Sequence, residues 1–195
     1  VPLGKTITPL QGGIFKIDSV GSDLVITDGR NRTAKIVVTD VLARNGVVHA
    51  IDKVLLPANK TLVQTAQSLP DFSILVEAVV AAGLVDTLNG TGPFTVFAPT
   101  NAAFAKLLTE LGVTKDQLLA NKTLLTQVLT YHVVAGKVMA ADVVKLSSAK
   151  TVEGENITIA VSGETVRING SSTVTQTDIQ ASNGVIHVVD KVLLP

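Results

Sequence analysis

The sequence predicts an α+β protein in which one helical segment stands between two sheet-forming segments. Residues 13–56, and the residues beyond Val133, consist of short runs rich in β-branched side chains with turn residues between them. From Thr61 to His132 the apolar residues instead recur at the spacing of three and four that a helix requires. A third observation, an internal repeat, predicts how these segments are divided into domains.

The chain contains nearly the same short sequence twice. ARNGVVHAIDKVLLP at 43–57 and ASNGVIHVVDKVLLP at 181–195 agree at 11 of 15 positions, and their offset is 138 residues throughout. The helical segment between them occurs once. The offset therefore predicts one complete unit at residues 58–195, preceded at residues 1–57 by the C-terminal β half of another unit.

Glycine marks the predicted turns of both β segments. Asp28-Gly29 and Asn45-Gly46 are expected turns in the first segment, because glycine adopts a positive φ at little steric cost. Asn169-Gly170 and Asn183-Gly184 are their counterparts in the second segment, the former after a small gap in the alignment. The second β segment is therefore expected to mirror the first.

Start and stop signals divide the helical segment. Asn59 and Asp71 are predicted to cap the first two helices, 61–69 and 71–84, and Gly83 to end the second. The run GPFTVFAP at 92–99 predicts a single strand. Three further helices are predicted, each with its cap: 101–112 with Thr100 or Asn101, 115–120 with a Thr114 and Gln117 capping box, and 122–132 with Asn121.

The composition excludes several classes of protein. Sixteen basic residues balance 16 acidic ones, so no overall charge attracts nucleic acid or an anionic membrane. The absence of cysteine excludes disulfides, thiolate zinc sites and cysteine nucleophiles. The chain is 46% hydrophobic with a mean hydropathy of +0.44. Its densest apolar run, at 74–85, is nevertheless shorter than the roughly 20 residues of a transmembrane helix.

No catalytic or metal-binding motif occurs in the sequence, and no cofactor is predicted. His49 and His187 each lie in an apolar strand and are followed at the third position by Asp52 and Asp190. Residues three apart in a strand point to opposite faces, so neither pair forms a local His–Asp dyad. Both histidines are therefore expected to be half-buried and to bond the backbone or a neighbouring segment.

Asn-X-Ser/Thr triplets, the pattern of N-glycosylation sites, occur more often than the one or two that chance would give. They begin at Asn31, Asn59, Asn89, Asn121, Asn156 and Asn169. A glycosylated surface protein accounts for this excess. Selection of Asn and Thr for turns and helix caps accounts for it equally, because it places the two residue types together without any sugar.

Three motifs resemble those of the fasciclin (FAS1) family. GPFTVFAPTNAAFAKL at 92–107 is similar to the family's first signature, and NGVIHVVDKVLLP at 183–195 is similar to the second, which recurs at 45–57. Tyr131-His132 stands between them, where the family has its Tyr-His motif. The resemblance implies a fasciclin-like β-sandwich wedge with a helical layer at 58–195, preceded by an all-β half-domain at 1–57.

The same resemblance implies four candidate partner-binding residues. In the family the Tyr-His motif is tied to integrin-dependent adhesion, which carries over to Tyr131 and His132; the alternative is that both rings fill the junction between helix and sheet. Asp178 and Ile179 occupy the place of an Asp-Ile recognition motif found in some animal fasciclin proteins. A strand end, with Asp178 bonding nearby backbone amides, explains this pair as well.

The function that the resemblance implies is a non-enzymatic adhesion or scaffold module, secreted or at the cell surface, commonly with domains in tandem. Its expected partners are cell-surface or matrix proteins or glycans. Two other functions stay open. A binding module for a small apolar or lipid-like ligand requires a cavity of roughly 300 Å³ or more between helices and sheet. A hydrolase requires His132 or a strand histidine beside a serine or carboxylate in an open cleft.

The segment 1–57 lacks the helices that would cover its sheet, which predicts an exposed sheet edge and an exposed apolar face. Three outcomes are open. The missing N-terminal half is a separate cleaved chain, or a second copy supplies it, or residues 1–57 are only partly ordered. Competition of the two β halves for the single helical segment would also give swapped dimers.

Overall fold

A computed structural model describes residues 3–4, 6–163 and 165–195. The chain divides into two compact units, Val1–Asn59 and Lys60–Pro195. The first is all-β in its described residues, whereas the second combines a sheet with a helical layer, so the predicted α+β class is confirmed. The run ETVRING at 164–170 predicts a strand, and its first residue, Glu164, lies outside the described residues.

The first unit is a five-stranded antiparallel sheet whose strands follow one another in chain order. Ile17, Ile26 and Ala34 are its most buried apolar side chains. The strands are β1 (Thr6–Ile7), β2 (Phe15–Val20), β3 (Asp23–Thr27), β4 (Thr33–Ala43) and β5 (Gly46–Ile51).

Asp28 holds the loop between β3 and β4 to the end of the first unit. Its carboxylate accepts hydrogen bonds from Leu56 N at 3.0 Å, from Arg30 N at 2.9 Å and from the Arg32 guanidinium at 2.8 Å. Burial alone would raise the pKa of Asp28, but these bonds outweigh it and hold the pKa below its ordinary value. The expected turn at Asp28-Gly29 is therefore a longer loop. Its left-handed residue is Asn31, with φ 60°, and not Gly29.

The second unit contains a seven-stranded sheet in the order β7-β6-β12-β11-β10-β9-β8. Strands β6 and β12 pair in parallel, and the other neighbouring strands of this sheet pair antiparallel over their described residues. The strands are β6 (Phe94–Pro99), β7 (Val133–Ala135), β8 (Ser148–Lys150), β9 (Asn156–Ser162), β10 (Thr165–Ile168), β11 (Ser172–Ala181) and β12 (Gly184–Val189).

The helical layer precedes and follows β6. Its helices are α1 (Leu62–Gln67), a 3-10 turn (Pro70–Phe72), α2 (Ser73–Ala82), α3 (Val85–Asn89), α4 (Asn101–Leu111), α5 (Lys115–Ala120) and α6 (Lys122–Tyr131), and a short α7 (Ala140–Val143) follows β7. The sequence pattern predicts five of the seven described α-helices and misses α3 and α7, which are only five and four residues long. None of the described helices is long and apolar enough to cross a membrane.

Two of the predicted helix caps are wrong. Thr61, not Asn59, caps α1, because its hydroxyl accepts from Gln64 N at 3.3 Å while the Gln64 side chain accepts from Thr61 N at 3.0 Å. Asp71 does not cap α2; the Asn101 side chain accepts from a backbone N–H in that first turn at 3.0 Å. The other predicted signals are confirmed: Thr100, Thr114 with Gln117, Asn121, and the left-handed Gly83 and Gly112.

Two apolar cores lie on opposite faces of the larger sheet. Alternate residues of β6 point to different cores: Val96 faces the helices, and Phe97 faces the inside of the bent sheet. Strands β9 and β10 contribute Ile157 and Ile168 to the second core beside Val189 of β12. A bridge between Val134 and Thr151 links β7 to the end of β8, so the sheet forms a nearly closed wedge.

The hairpin β4–β5 repeats the hairpin β11–β12 pair for pair. Each of the five cross-strand pairs between β4 and β5 recurs 138 residues later between β11 and β12, including two register shifts. Asp40 and Asp178, which lie within these shifts, have positive φ angles of 57° and 61°. The two hairpins therefore have the same bulged geometry, and differ mainly in what covers them.

Gly46 and Gly184 serve a different purpose from the expected turn. Neither has a positive φ, and the two-residue turns are formed by the residues before them. A Cβ on Gly184 would lie 2.1 Å from the carbonyl oxygen of Phe94, so glycine is required by the close approach of β6. A Cβ on Gly46 would meet nothing within 4 Å.

This difference predicts unequal effects of the same substitution at the two positions. Gly184→Ala is expected to destabilise the second unit by more than the roughly 1–3 kcal/mol of ordinary overpacking, because the contacted atom belongs to the backbone. Gly46→Ala is expected to leave stability unchanged within about 0.5 kcal/mol. Urea denaturation measures both variants. The fluorescence of Tyr131, the one tyrosine of the chain, follows the second unit for Gly184→Ala, and far-ultraviolet circular dichroism follows the all-β first unit for Gly46→Ala. Equal stability of the two variants would contradict the assignment.

Candidate functional site

His132 joins the end of α6 to the end of the chain. Its ring is buried, with Nδ1 at 2.6 Å from the Val128 carbonyl oxygen and Nε2 accepting from Leu193 N at 2.8 Å. Because Nε2 accepts, the proton is on Nδ1, which donates to Val128. Both ring nitrogens are thus committed to backbone groups, and the ring has no nitrogen left for proton transfer to a substrate.

The charged form of His132 is strongly disfavoured. Burial lowers the pKa of this imidazole from 6.5 to about 4, although the bond to Val128 opposes the change. A proton on Nε2 would also face the N–H of Leu193, which donates a hydrogen bond to this nitrogen in the neutral ring, so that bond would be lost. His132 is therefore neutral at neutral pH and acts as a clamp between helix and sheet.

Tyr131 occupies the inner core of the wedge. It is 4% exposed, and its hydroxyl donates to the Asn156 carbonyl oxygen at 3.3 Å and accepts from Asn169 Nδ2 at 2.8 Å. The phenol therefore connects α6 to β9 and to the turn after β10. The two residues of the Tyr-His motif both lie in the interior and face different cores.

His187 stabilises the bulge of the last hairpin. Its Nδ1 accepts from the backbone N of Asp178 at 3.3 Å, and its Nε2 donates to the Val138 carbonyl oxygen at 2.8 Å. In the first unit His49 Nδ1 accepts from Asp40 N at 3.2 Å in the same way. A bulge leaves a backbone N–H without a ladder partner, and here a histidine in the facing strand provides one.

Asp178 and Ile179 are both 8% exposed. Asp178 Oδ1 accepts from Ala140 N at 2.8 Å, so this side chain caps the start of α7. Ile179 packs in the helical core. With Thr95, whose hydroxyl accepts from Val138 N at 2.8 Å, these residues fix the segment 138–143 to the sheet.

Asn183 makes the main polar connection between the helical layer and the sheet. Its Oδ1 accepts from Leu62 N at 2.9 Å, and its Nδ2 donates to the carbonyl oxygens of Leu88 at 2.8 Å and Gly90 at 2.9 Å. These contacts join residues up to 121 positions apart. The periodicity of the sequence does not predict these contacts. The Asn183-Gly184 pair draws attention to this position, but it predicts a turn and not a connection to the helices.

The six predicted glycosylation sites differ in accessibility. Asn31, Asn59, Asn89, Asn121 and Asn156 are exposed. Asn169 is half-buried, and its amide donates to the Tyr131 hydroxyl while its Oδ1 accepts from Thr158 N at 2.8 Å. A sugar on Asn169 would therefore break its bond to the Tyr131 hydroxyl, whereas the other five residues are exposed to solvent.

The helical core contains a small apolar cavity of about 40 Å³, lined by side chains that include Leu62, Val79 and Ile186. That volume accommodates little more than one water molecule and is far below the roughly 300 Å³ of small-molecule sites. Within the described residues, no three His, Asp or Glu side chains are grouped so that they could hold a metal ion.

The fold and the motif geometry define a fasciclin-type domain, and the sequence comparison agrees. The sequence model of the fasciclin domain matches residues 2–57 and 70–195. The chain therefore belongs to the fasciclin domain family.

Named relatives occur in bacteria and in animals. Protein sll1483 of Synechocystis sp. is 48% identical over 136 residues, which are 69% of this chain and 73% of that protein. Rabbit transforming growth factor-beta-induced protein ig-h3 is 35% identical over 193 residues, 98% of this chain but only 27% of that protein. A solved FAS1 domain pair from the insect cell adhesion molecule fasciclin I aligns with a TM-score of 0.66 at 26% identity, covering 93% of this chain and 67% of that one.

The pKa of His132 predicts a stability change with pH. Between pH 6.5 and about 4 the unfolded chain binds a proton here that the folded chain does not. The free energy of unfolding is therefore expected to fall as the pH falls through this window, by on the order of 3 kcal/mol, and to level off below it. Urea denaturation followed by Tyr131 fluorescence at several pH values measures this slope.

The variant His132→Gln separates this contribution from that of the carboxylates. It removes the titrating ring, so the variant is expected to be less stable at pH 7 and to lose less stability between pH 6.5 and 4 than the wild type does. An equal pH dependence in both proteins would exclude His132 as its source.

Asn183 and Asn45 provide a matched pair for the polar connection. Asn183→Ala removes three hydrogen bonds and leaves buried backbone groups unsatisfied, which is expected to cost roughly 3 kcal/mol. Asn45 is exposed, and its side chain has no hydrogen-bond partner among the described residues, so Asn45→Ala is expected to change stability by less than about 0.5 kcal/mol. Chemical denaturation of both variants tests this, and a small effect at Asn183 would refute it.

Proposed function

We propose that the chain is a non-enzymatic adhesion or scaffold module that acts outside the cytoplasm. One observation carries this proposal: the polar side chains of the family motifs are bonded to the protein's own backbone. His132, His187 and Asn183 each use their ring or amide atoms in this way. Such residues build a rigid body, and leave recognition to exposed surfaces and loops.

The four candidate partner-binding residues act, in this proposal, by positioning a surface. Asp178 and His187 fix the segment 138–143, and the residues just after it, Val144 and Leu146, are exposed apolar side chains. Exposed apolar residues on a firmly held segment are suited to protein contact. Ile179 packs in the helical core and so holds the hairpin on which Asp178 lies. Tyr131 and His132 hold the helix-to-sheet junction from which the segment departs.

The proposed partners are cell-surface or matrix proteins or glycans. Support comes from the solved domain pair of an insect cell adhesion molecule and from the relationship to ig-h3. Tandem domains of this kind gain binding strength through effective concentration. An extracellular location would also expose Asn31, Asn59, Asn89, Asn121 and Asn156 to glycosylation in a eukaryotic secretory pathway.

The two competing functions find less support. A cavity of about 40 Å³ does not fit a lipid-like ligand in the helical core. A hydrolase needs a histidine with a free ring nitrogen beside a nucleophile, whereas the histidines of the second unit bond backbone groups through both nitrogens.

Attachment of cultured cells to surfaces coated with the full chain tests the proposal. Attachment is expected to exceed that on albumin and to saturate with coating density. The double variant Val144→Asp/Leu146→Asp is expected to reduce attachment severalfold while retaining the wild-type denaturation curve. The matched control is Val161→Asp, which alters an exposed apolar residue of the same unit on β9 and is expected to bind normally.

Two results would overturn the proposal. Attachment no better than to albumin would argue against adhesion, and equal losses in the double variant and in the Val161→Asp control would argue against the surface at residues 144–146.

A further inference from the structure

The cavity in the helical core of the second unit is an internal and almost wholly apolar space. Its volume is about 40 Å³, and His132 is the one polar residue among those that line it. Protein interiors contain few spaces larger than a water molecule, so a cavity of this size is a distinct feature of the packing. Of the lining residues only Val76 is not buried, so the cavity comes closest to solvent beside Val76.

The polar groups beside this cavity already have partners within the protein. His132 uses both ring nitrogens in hydrogen bonds to the backbone. Asn183 bonds the N–H of Leu62 and the carbonyl oxygen of Leu88, two of the lining residues. A buried water molecule needs about two to four polar partners, and apolar cavities that lack them bind apolar molecules instead. The chemistry of the lining therefore favours an apolar ligand over water.

An apolar ligand would gain contacts from several elements at once. Leu62 of α1, Val79 of α2, Leu129 of α6 and Ile186 of β12 all line the cavity. Atoms beside a cavity have no packing partners on one side, and a ligand atom placed there restores the missing dispersion attraction. The hydrophobic effect also favours the transfer of an apolar molecule from water into such a space. Both terms favour binding, and the volume of the cavity limits the size of the ligand.

We propose that this cavity is a binding site for one small apolar molecule of the size of a xenon atom. The class of ligand comprises uncharged gases and the smallest hydrocarbons. A benzene ring is too large, because an engineered cavity that binds benzene measures about 150 Å³. The ligand enters beside Val76, where the lining is nearest to solvent.

Binding at this site stabilises the folded second unit. The ligand contacts three helices and a strand that meet only in the folded chain, so it shifts the folding equilibrium toward the folded state. Val144 and Leu146, the exposed residues of the proposed adhesion surface, do not line the cavity. The site is therefore independent of the proposed function, and its own experiment decides it.

Nuclear magnetic resonance under xenon pressure tests the proposal on the full chain, with isotopic labels in the leucine, valine and isoleucine methyl groups. The signals of Leu62, Val79 and Ile186 are expected to shift and to saturate with one common dissociation constant. The exposed Val144 and Val161 are expected to keep their signals unchanged. The midpoint of urea denaturation is expected to rise with xenon pressure, compared with an equal pressure of helium. Benzene is expected to leave the lining signals unchanged.

Val79 and Val80 provide matched variants, because they are neighbours on α2 with different surroundings. Val79 lines the cavity, whereas Val80 is 58% exposed and does not. Val79→Ile adds a methyl group to the lining and is expected to weaken xenon binding by roughly fivefold or more, because the remaining space is too small. Val80→Ile adds the same group to an exposed side chain and is expected to bind xenon like the wild type.

Several results would overturn the proposal: lining signals that do not shift, shifts of equal size at the exposed Val144 and Val161, or equal xenon affinity in Val79→Ile and the wild type. The second result would show weak contact of xenon with the surface alone. Binding of benzene by the wild type would refute the size limit. If Val79→Ile loses the wild-type denaturation curve, Val96→Ile repeats the test from strand β6, where isoleucine is a favoured residue.

Discussion

The parallel pairing of β6 with β12 is the constraint on which the second unit depends. Among the described strands it is the one parallel pairing, and it joins a strand of the helical segment to the last strand of the β segment. Gly184 allows the two backbones to approach, and Asn183 fixes the adjoining helices to the same turn. Without this pairing, the helices would lose the sheet on which their apolar side chains pack.

Polar side chains in this fold complete backbone hydrogen bonding where regular structure cannot. His187 supplies an acceptor to the bulge at Asp178, and His132 bonds the end of α6 and the segment beyond β12. Asn183 bonds the start of α1 and the end of α3. A buried backbone group without a partner costs about as much as a lost hydrogen bond, or more. Residues that look like catalytic candidates in the sequence thus have structural roles.

The sequence predicts the fold class, the family and most of the helices, because these follow from local patterns. Thr114 and Gln117 lie three apart, and a glycine follows α2 and α4. It does not predict contacts between distant residues. The need for Gly184 comes from Phe94, 90 positions earlier, and the capping of α2 comes from Asn101. Local chemistry suggested a turn glycine and an aspartate cap at these places, and tertiary contacts replaced both.

The separation of β6 and β12 along the chain also determines when the domain can form during synthesis. The helical half leaves the ribosome first, and its core closes only after β12 has followed, since Ile186, Val188 and Val192 belong to that core. At 5–20 residues per second, residues 140–195 take roughly 3–11 s to be made. During this interval the helical core lacks the side chains that β11 and β12 contribute to it, so its apolar residues stay uncovered on that side until β12 has been made.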